Sequence, residues 1–310
     1  MLVVALVACR PVTASGPTSA PVPPIAPGVS TQALGATQTV GAVFIGAAFD
    51  KCMAPTTSQM ATWWAASPYR AAGLYLGGSS AACPPSSVPH LNAAWVTAVG
   101  NQGWGLLPLW VGRQAPCTGY THRIDLNAGV AATQGAQEAN AAADAAAAFG
   151  IGPAAAIRRE PGQGGAVSAL GSPIYYDLEH YNASGNQPCI NAVLAFVSAW
   201  VAQLHARGYQ AGFYSSGSSG IVHQVAVAEN NLPYNLPDEL WIADWNNSPN
   251  TYGSAWVPDH LWYHHRLHQY RGGHNETWGG VTFNIDNNAS DGLVTRPATP
   301  NPSGWPGPTR

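Results

Sequence analysis

Pro173-Ile174-Tyr175-Tyr176-Asp177-Leu178-Glu179 is a short apolar and aromatic run that ends in two carboxylates, and it reads as a buried strand whose last residues leave the core. Seven other runs have a similar build: Val40 to Asp50, Ala72 to Gly78, Gly105 to Gly112, Gln210 to Ser216, Glu239 to Trp245, Arg266 to Tyr270 and Val281 to Asn287. Stretches rich in Ala or in apolar residues at three- and four-residue spacing lie between them, at Thr56 to Ala66, Pro89 to Gln102, Ala128 to Phe149 and Pro188 to Arg207, the last followed by Gly208 as a helix stop. Strand alternating with helix predicts a parallel α/β sheet, and eight strands close a (β/α)8 TIM-like barrel. The competing architecture is an open doubly wound sheet, whose GxGxxG after the first strand is absent. After the fifth run the helices weaken: residues 246–264 hold Pro, Asn, Gly and Trp, and 271–280 is too short for a helix with its turns. A single barrel, irregular in its second half, is therefore expected over 40–291.

The flanks differ in composition. Leu2 to Val7 is apolar and runs into Leu6-Val7-Ala8-Cys9, which looks like a bacterial lipobox with Cys9 as the lipidated residue. Residues 10–38 are rich in Pro, Ser, Thr, Ala and Gly, and 292–310 carry five Pro, so 1–39 reads as signal and flexible linker and 292–310 as a Pro-rich tail. Beyond the N-terminus no run reaches the roughly 18 uninterrupted apolar residues of a membrane helix. A secreted or cell-surface protein is expected, with a lipid on Cys9 as its only membrane contact. Cys52, Cys83, Cys117 and Cys189 remain, an even number that in an exported chain favours two disulfides over metal ligation. Three pairings are possible, with Cys52–Cys83 and Cys117–Cys189 preferred.

Only 9% of the 310 residues are charged, the net charge is −3, and Lys51 is the one lysine among 12 basic residues. Such a chain offers no electrostatic footprint for nucleic acid and no polybasic membrane patch.

With 15 acidic residues in the whole chain, their positions are informative. Asp50 closes the first run, Asp177 and Glu179 the fourth, Asp244 the sixth, and Asp286 sits late in the eighth. In a parallel barrel the strand ends meet at one mouth. Asp177 and Glu179, two apart on one strand, share a face with their Cα atoms roughly 6.6 Å apart. Crowded carboxylates in apolar surroundings cannot all stay ionised, so one becomes a general acid while a neighbour stabilises positive charge. Glycosidic bond cleavage requires that pair. Asp244 is equally suited to capping a helix. Tyr214, Trp241, Trp245 and Tyr270 lie on or just after predicted strands and offer flat apolar faces for sugar C–H groups, although strand aromatics usually serve the core.

His260, His264, His265 and His268 include an HxxxH pair, but Pro258 and the nearby strand leave room for one helical turn at most, so surface or strand-edge histidines are expected and no metal. Ser215 and Ser216 lack a GxSxG elbow, and the sequons at Asn182 and Asn275 read as chance matches.

Phe49-Asp50-Lys51-Cys52-Met53-Ala54-Pro55, Ser67-Pro68-Tyr69-Arg70, Leu74-Tyr75-Leu76-Gly77-Gly78, Gln114-Ala115-Pro116-Cys117, Ile174 to Glu179, Gly212-Phe213-Tyr214-Ser215-Ser216 and Leu240 to Trp245 together resemble the glycoside-hydrolase-like domain of unknown function found in secreted bacterial proteins. That family looks like a relative of the muramidases of glycoside hydrolase family 25, which have an irregular (β/α) barrel and an acidic cleft. An Asp ending the first strand, a D-x-E ending a middle strand, and a Gln-Tyr before a final Asp are matched in order by Asp50, Asp177 and Glu179, Gln269 and Tyr270, and Asp286. The resemblance implies Glu179 as the acid and Asp177 as its charge-stabilising partner, with a polysaccharide or peptidoglycan as ligand. Such acid–base chemistry requires no cofactor, and a monomer is expected. The Cys52-Met53-Ala54-Pro55 turn and the four cysteines are not muramidase features. A non-catalytic glycan-binding or envelope-organising lipoprotein on the same barrel is the alternative.

Overall fold

A computed structural model describes residues 39–153, 156–157, 167–168 and 170–297; Cys9 and the rest of the expected leader and linker before residue 39 lie outside them. Eight strands close the barrel in chain order: β1 Thr39–Asp50, β2 Ala71–Gly77, β3 Gly105–Trp110, β4 Pro173–Leu178, β5 Gln210–Ser216, β6 Glu239–Ala243, β7 Arg266–Trp278 and β8 Val281–Pro297. The helices are α1 Thr57–Ala66, α2 Ala93–Gln102, α3 Ala128–Ala148, α4 Gln187–Ala206 and α5 Val222–Glu229. A two-residue antiparallel pair, Ala156–Ile157 with Val167–Ser168, sits apart from the barrel sheet.

Strands β1 to β7 run parallel, but β8 is antiparallel to both β7 and β1. The barrel is thus TIM-like with one reversed strand. Its cause is the connection: Gly279 and Gly280, both at positive φ, form a two-residue hairpin turn, and a parallel crossover needs a dozen residues or more. Strand β8 continues alongside β1 as far as Pro297, so the tail expected from 292 begins inside the barrel wall.

Side chains alternate between two cores. Phe44, Ala48, Leu107, Leu109, Tyr175, Tyr214, Trp241, Leu267 and Val294 fill the barrel, while residues of opposite parity such as Phe49, Leu74, Ile174, Tyr176, Leu178, Phe213 and Ile242 face the helical layer. Gly212 is small because a Cβ there would lie 2.3 Å from the Tyr175 ring. Helix α4, apolar enough on average to cross a membrane (mean hydropathy 1.5), is a barrel helix here: Phe196 and Trp200 meet the edge of Tyr176, and half of the apolar window is buried.

Side-chain caps set the helix starts. Thr56 and Gln59 form a reciprocal capping box on α1, and the carbonyls of Asn92, Asn127 and Asn186 accept from the first turns of α2, α3 and α4. The Asn92 cap explains why α2 starts later than the expected Pro89. No helix forms between β6 and β7. The buried Arg266 guanidinium there donates to the carbonyls of Thr251, Val257, Pro258 and Leu261, which holds an irregular loop that has no backbone ladder of its own. Disulfides Cys52–Cys83 and Cys117–Cys189 are formed, with Cα–Cα separations of 5.6 and 6.0 Å.

Candidate active site

Period-two alternation places Asp50 above Ala48 on β1, and Asp177 and then Glu179 above Tyr175 on β4, all on the inner face at the C-terminal mouth. Asp286 reaches the same mouth for a different reason. It lies near the start of β8, and because that strand is reversed its start stands beside the end of β1, with Asp286 paired in register with Asp50. Gly73 makes room, since a Cβ there would meet the Asp50 Cβ at 2.5 Å.

Asp50 is 2% exposed and accepts from Asn288 Nδ2 at 2.7 Å, Gln269 Nε2 at 3.0 Å and Tyr75 Oη at 3.0 Å. Burial, helped by the charge of Asp286, nevertheless raises its pKa to about 7. Asp177, 4% exposed, has an Oδ1 with no hydrogen-bond partner, and burial together with Glu179 and Asp50 pushes its pKa well up. Asp286 accepts from the Gly273 N–H and from Gln269 Nε2 at 3.4 Å; burial raises its pKa, and Gly273 and His274 pull the other way. Glu179 is partly exposed, its backbone N–H donates to Gln114 Oε1 at 2.8 Å, and burial followed by the Asp286 charge raises its pKa. These carboxyls cannot all be ionised near neutrality, so the mouth holds protons, and Glu179 is the one of them that opens onto the cleft.

The cleft has a volume of about 340 Å³. Glu179, Tyr214, Asp244 and Trp245 of the expected residues line it, with His180, Ser216, Ser218 and Trp256. Gln269 ties floor to wall: its Oε1 accepts from Tyr214 Oη at 3.0 Å and Trp245 Nε1 at 2.9 Å while its Nε2 donates to Asp50 and Asp286. Trp245 is 63% exposed and lies against Gly272, where a Cβ would be 2.4 Å from the indole. Asp244 accepts from Asn246 Nδ2 at 2.9 Å and caps no helix.

Two expected sugar contacts are corrected. Trp241 is fully buried inside the barrel, edge-on to Tyr175 and Tyr214, and its Nε1 donates to Asn288 Oδ1 at 2.7 Å, so it supports the donor to Asp50 from beneath and cannot touch a ligand. Tyr270, the extra residue where the pairing with β8 shifts register, is half-buried beside the His268 ring and is not among the residues that line the cleft. The histidine cluster is likewise structural: His264 and His265 pair with Asp291 and Glu239, and His268 contacts the carbonyls of Asn250 and Asp244. Among the described residues no three His, Cys, Asp or Glu side chains are grouped to hold a metal ion.

Sequence reasoning missed Tyr75, Gln114 and Asn288 as parts of the site. Gln114 is fully buried and bridges the Asp177 carbonyl, to which its Nε2 donates at 3.0 Å, and the Glu179 N–H, so it positions the whole D-x-E segment. The available signal was parity: Asn288 is two residues from Asp286 on one strand, and Tyr75 is two from Gly73.

A family model described as the Rv2525c-like, glycoside hydrolase-like domain matches residues 61–158 and 166–290, well over half of the chain. The protein belongs to that family. Among solved structures, the Rv2525c-like barrel is similar to the Tat-secreted protein Rv2525c of Mycobacterium tuberculosis in complex with L-tartrate, at 17% identity over 80% of this chain and 96% of that one, with a TM-score of 0.50. An uncharacterized B. stearothermophilus protein aligns at 16% identity over 80% and 99% of the two chains, TM-score 0.46, and GHIP, a glycosyl hydrolase 25 of Streptococcus pneumoniae, at 11% over 79% and 86%, TM-score 0.44. At these identities the likeness to Rv2525c concerns the fold, and the two looser ones carry no argument. No curated protein matches the chain.

Proposed function

We propose that this Rv2525c-like protein is an exported glycoside hydrolase acting on cell-wall or related polysaccharide. The observation that carries the reading is the partly exposed Glu179, held at a raised pKa over a buried carboxyl partner in an open cleft with an exposed indole. Glu179 donates its proton to the leaving glycosidic oxygen, and Asp177 in its ionised form, which positive charge developing beside it favours, stabilises the oxocarbenium-like centre. Burial and the charge of Asp286 favour the protonated form of Glu179, Asp50 acts in the same way on Asp177, and Gln269 fixes the spacing of Asp50 and Asp286 from Tyr214 and Trp245. Trp245 and Tyr214 seat the sugar ring, and Asp244 accepts from its hydroxyls. Export is supported by the two disulfides and by the Tat-secreted fold relative, and a lipid on Cys9 would be the membrane anchor of a monomer.

The test is reducing-sugar release from purified glycans, peptidoglycan included, by wild type and Glu179→Gln in parallel. Release that disappears in the variant supports hydrolysis. Binding by both proteins with no release by either identifies a glycan-binding module instead.

A further inference from the structure

We infer that the sugar seated at the barrel mouth carries a free amine, so that the site selects a cationic amino sugar of glucosamine type over a carboxylate-bearing one. This deepens the glycan reading above and rests on it. Acidic groups dominate the cleft. Glu179 and Asp244 stand in its wall with one imidazole, His180, and Asp50, Asp177 and Asp286 share the mouth, while no Lys or Arg is among the described lining residues. The nearby cations are engaged elsewhere: Lys51 Nζ donates to the Met53 carbonyl and lies over Phe283, Arg113 pairs with Glu138, and Arg123 donates to the Thr118 carbonyl.

The second observation is Asp177 Oδ1, a buried acceptor on the inner face with no donor. Leaving such an atom unsatisfied costs its desolvation, more for a charged group, so a ligand that supplies a donor recovers it. An ammonium has three N–H donors and no acceptor. It also supplies the positive charge that these buried, mutually repelling carboxyls lack, whereas a uronate would add a further negative charge. A charge pair in partly shielded surroundings outweighs a hydroxyl contact that distinguishes two neutral sugars. The exposed Trp245 indole supplies the flat face for the ring.

Isothermal titration calorimetry of wild type at pH 6.5 with a glucosamine tetramer, its fully N-acetylated counterpart and tetragalacturonate tests this, with each titration repeated in two buffers of different ionisation heat. The expected result is binding of the amine at least about tenfold tighter than of the acetylated oligomer, proton release on binding, and no galacturonate binding. Asp177→Asn should lose the preference, while Glu229→Gln at the exposed end of α5 should keep it, which separates the mouth from general attraction to an acidic protein. Should Asp177→Asn not fold, Asp286→Asn is read in the same way. Equal or tighter binding of the acetylated or galacturonate oligomer, proton uptake, or no binding of any of the three overturns the inference. Amine preference without cleavage of any glycan would instead overturn the hydrolase reading alone, and cleavage of acetylated glycan without amine preference would overturn this inference alone.

Discussion

Asp50 and Asp286 are register partners on adjacent antiparallel strands, so two carboxyls stand side by side with a single amide, Gln269 Nε2, donating to both. The pairing exists only because β8 is reversed, and it is one reason that Asp50 titrates near neutrality rather than as an ordinary carboxylate.

Stability should therefore fall as the pH rises. The folded-state pKa of Asp50, about 7, lies above its ordinary value of 3.8, so between these pH values the folded protein binds more protons than the unfolded chain. Its contribution is complete below about pH 4 and lost as the pH passes 7, worth up to about 4 kcal/mol. Asp50→Asn should flatten that slope, its carbonyl accepting from Gln269 and Asn288 and its amide donating to Tyr75. Urea unfolding of both proteins at pH 4.5 and pH 8 measures the difference, and parallel pH dependence would contradict the assignment.

Glu179→Gln should lower kcat by about 10²–10⁴ with little change in KM, because the amide keeps the shape and loses the proton. In wild type, activity should decline as the pH rises through the raised Glu179 pKa, since a general acid must be protonated. Initial rates from pH 4 to 9 on the best glycan give both results.

The two tryptophans on either side of Ala243 should separate cleanly. Trp245→Ala should weaken glycan binding about tenfold or more while changing stability little, since the ring is mostly exposed. Trp241→Phe should cost about 1–3 kcal/mol of stability, because it leaves Asn288 Oδ1 without its buried donor. Tryptophan-resolved titration and thermal unfolding of the two variants decide the matter; a binding defect confined to Trp241→Phe would reverse the assignment.

Cys117→Ser with Cys189→Ser should destabilise more than Cys52→Ser with Cys83→Ser, because the first disulfide closes a separation of 72 residues and the second one of 31. Chain entropy puts both near 4 kcal/mol, with the longer loop costing several tenths of a kcal/mol more. Because Cys189 lies in the first turn of α4, loss of that bridge should also raise hydrogen exchange at the start of the helix.

Strand and helix identity were legible because each run is short, apolar and bounded by local signals: the β4 run ends in Asp177-Leu178-Glu179, Asn92 and Asn127 cap their helices, and α4 stops before Gly208. Parity within a strand was legible as well, which is why Asp177 and Glu179 could be placed on one face. Depth along the barrel was not. Trp241 and Trp245 are four apart near one strand end, yet one is sealed beneath Tyr214 and the other stands in the cleft, since depth depends on where the neighbouring strands end. The short 271–280 segment announced an irregular second half, but not that β8 would return antiparallel and pair with β1 along its whole length.

The sequence by itself determined the barrel, its strand number, the four cysteines available for disulfides and the carboxylates at the strand ends, because local periodicity and residue chemistry suffice for each. Tertiary structure alone decided that Asp286 stands beside Asp50, that Gln269 joins both to Tyr214 and Trp245, and that Gln114 locks the D-x-E segment. Gln114 lies 65 positions from Glu179 and Gln269 219 from Asp50, and only closure of the sheet into a ring brings such residues within hydrogen-bond distance.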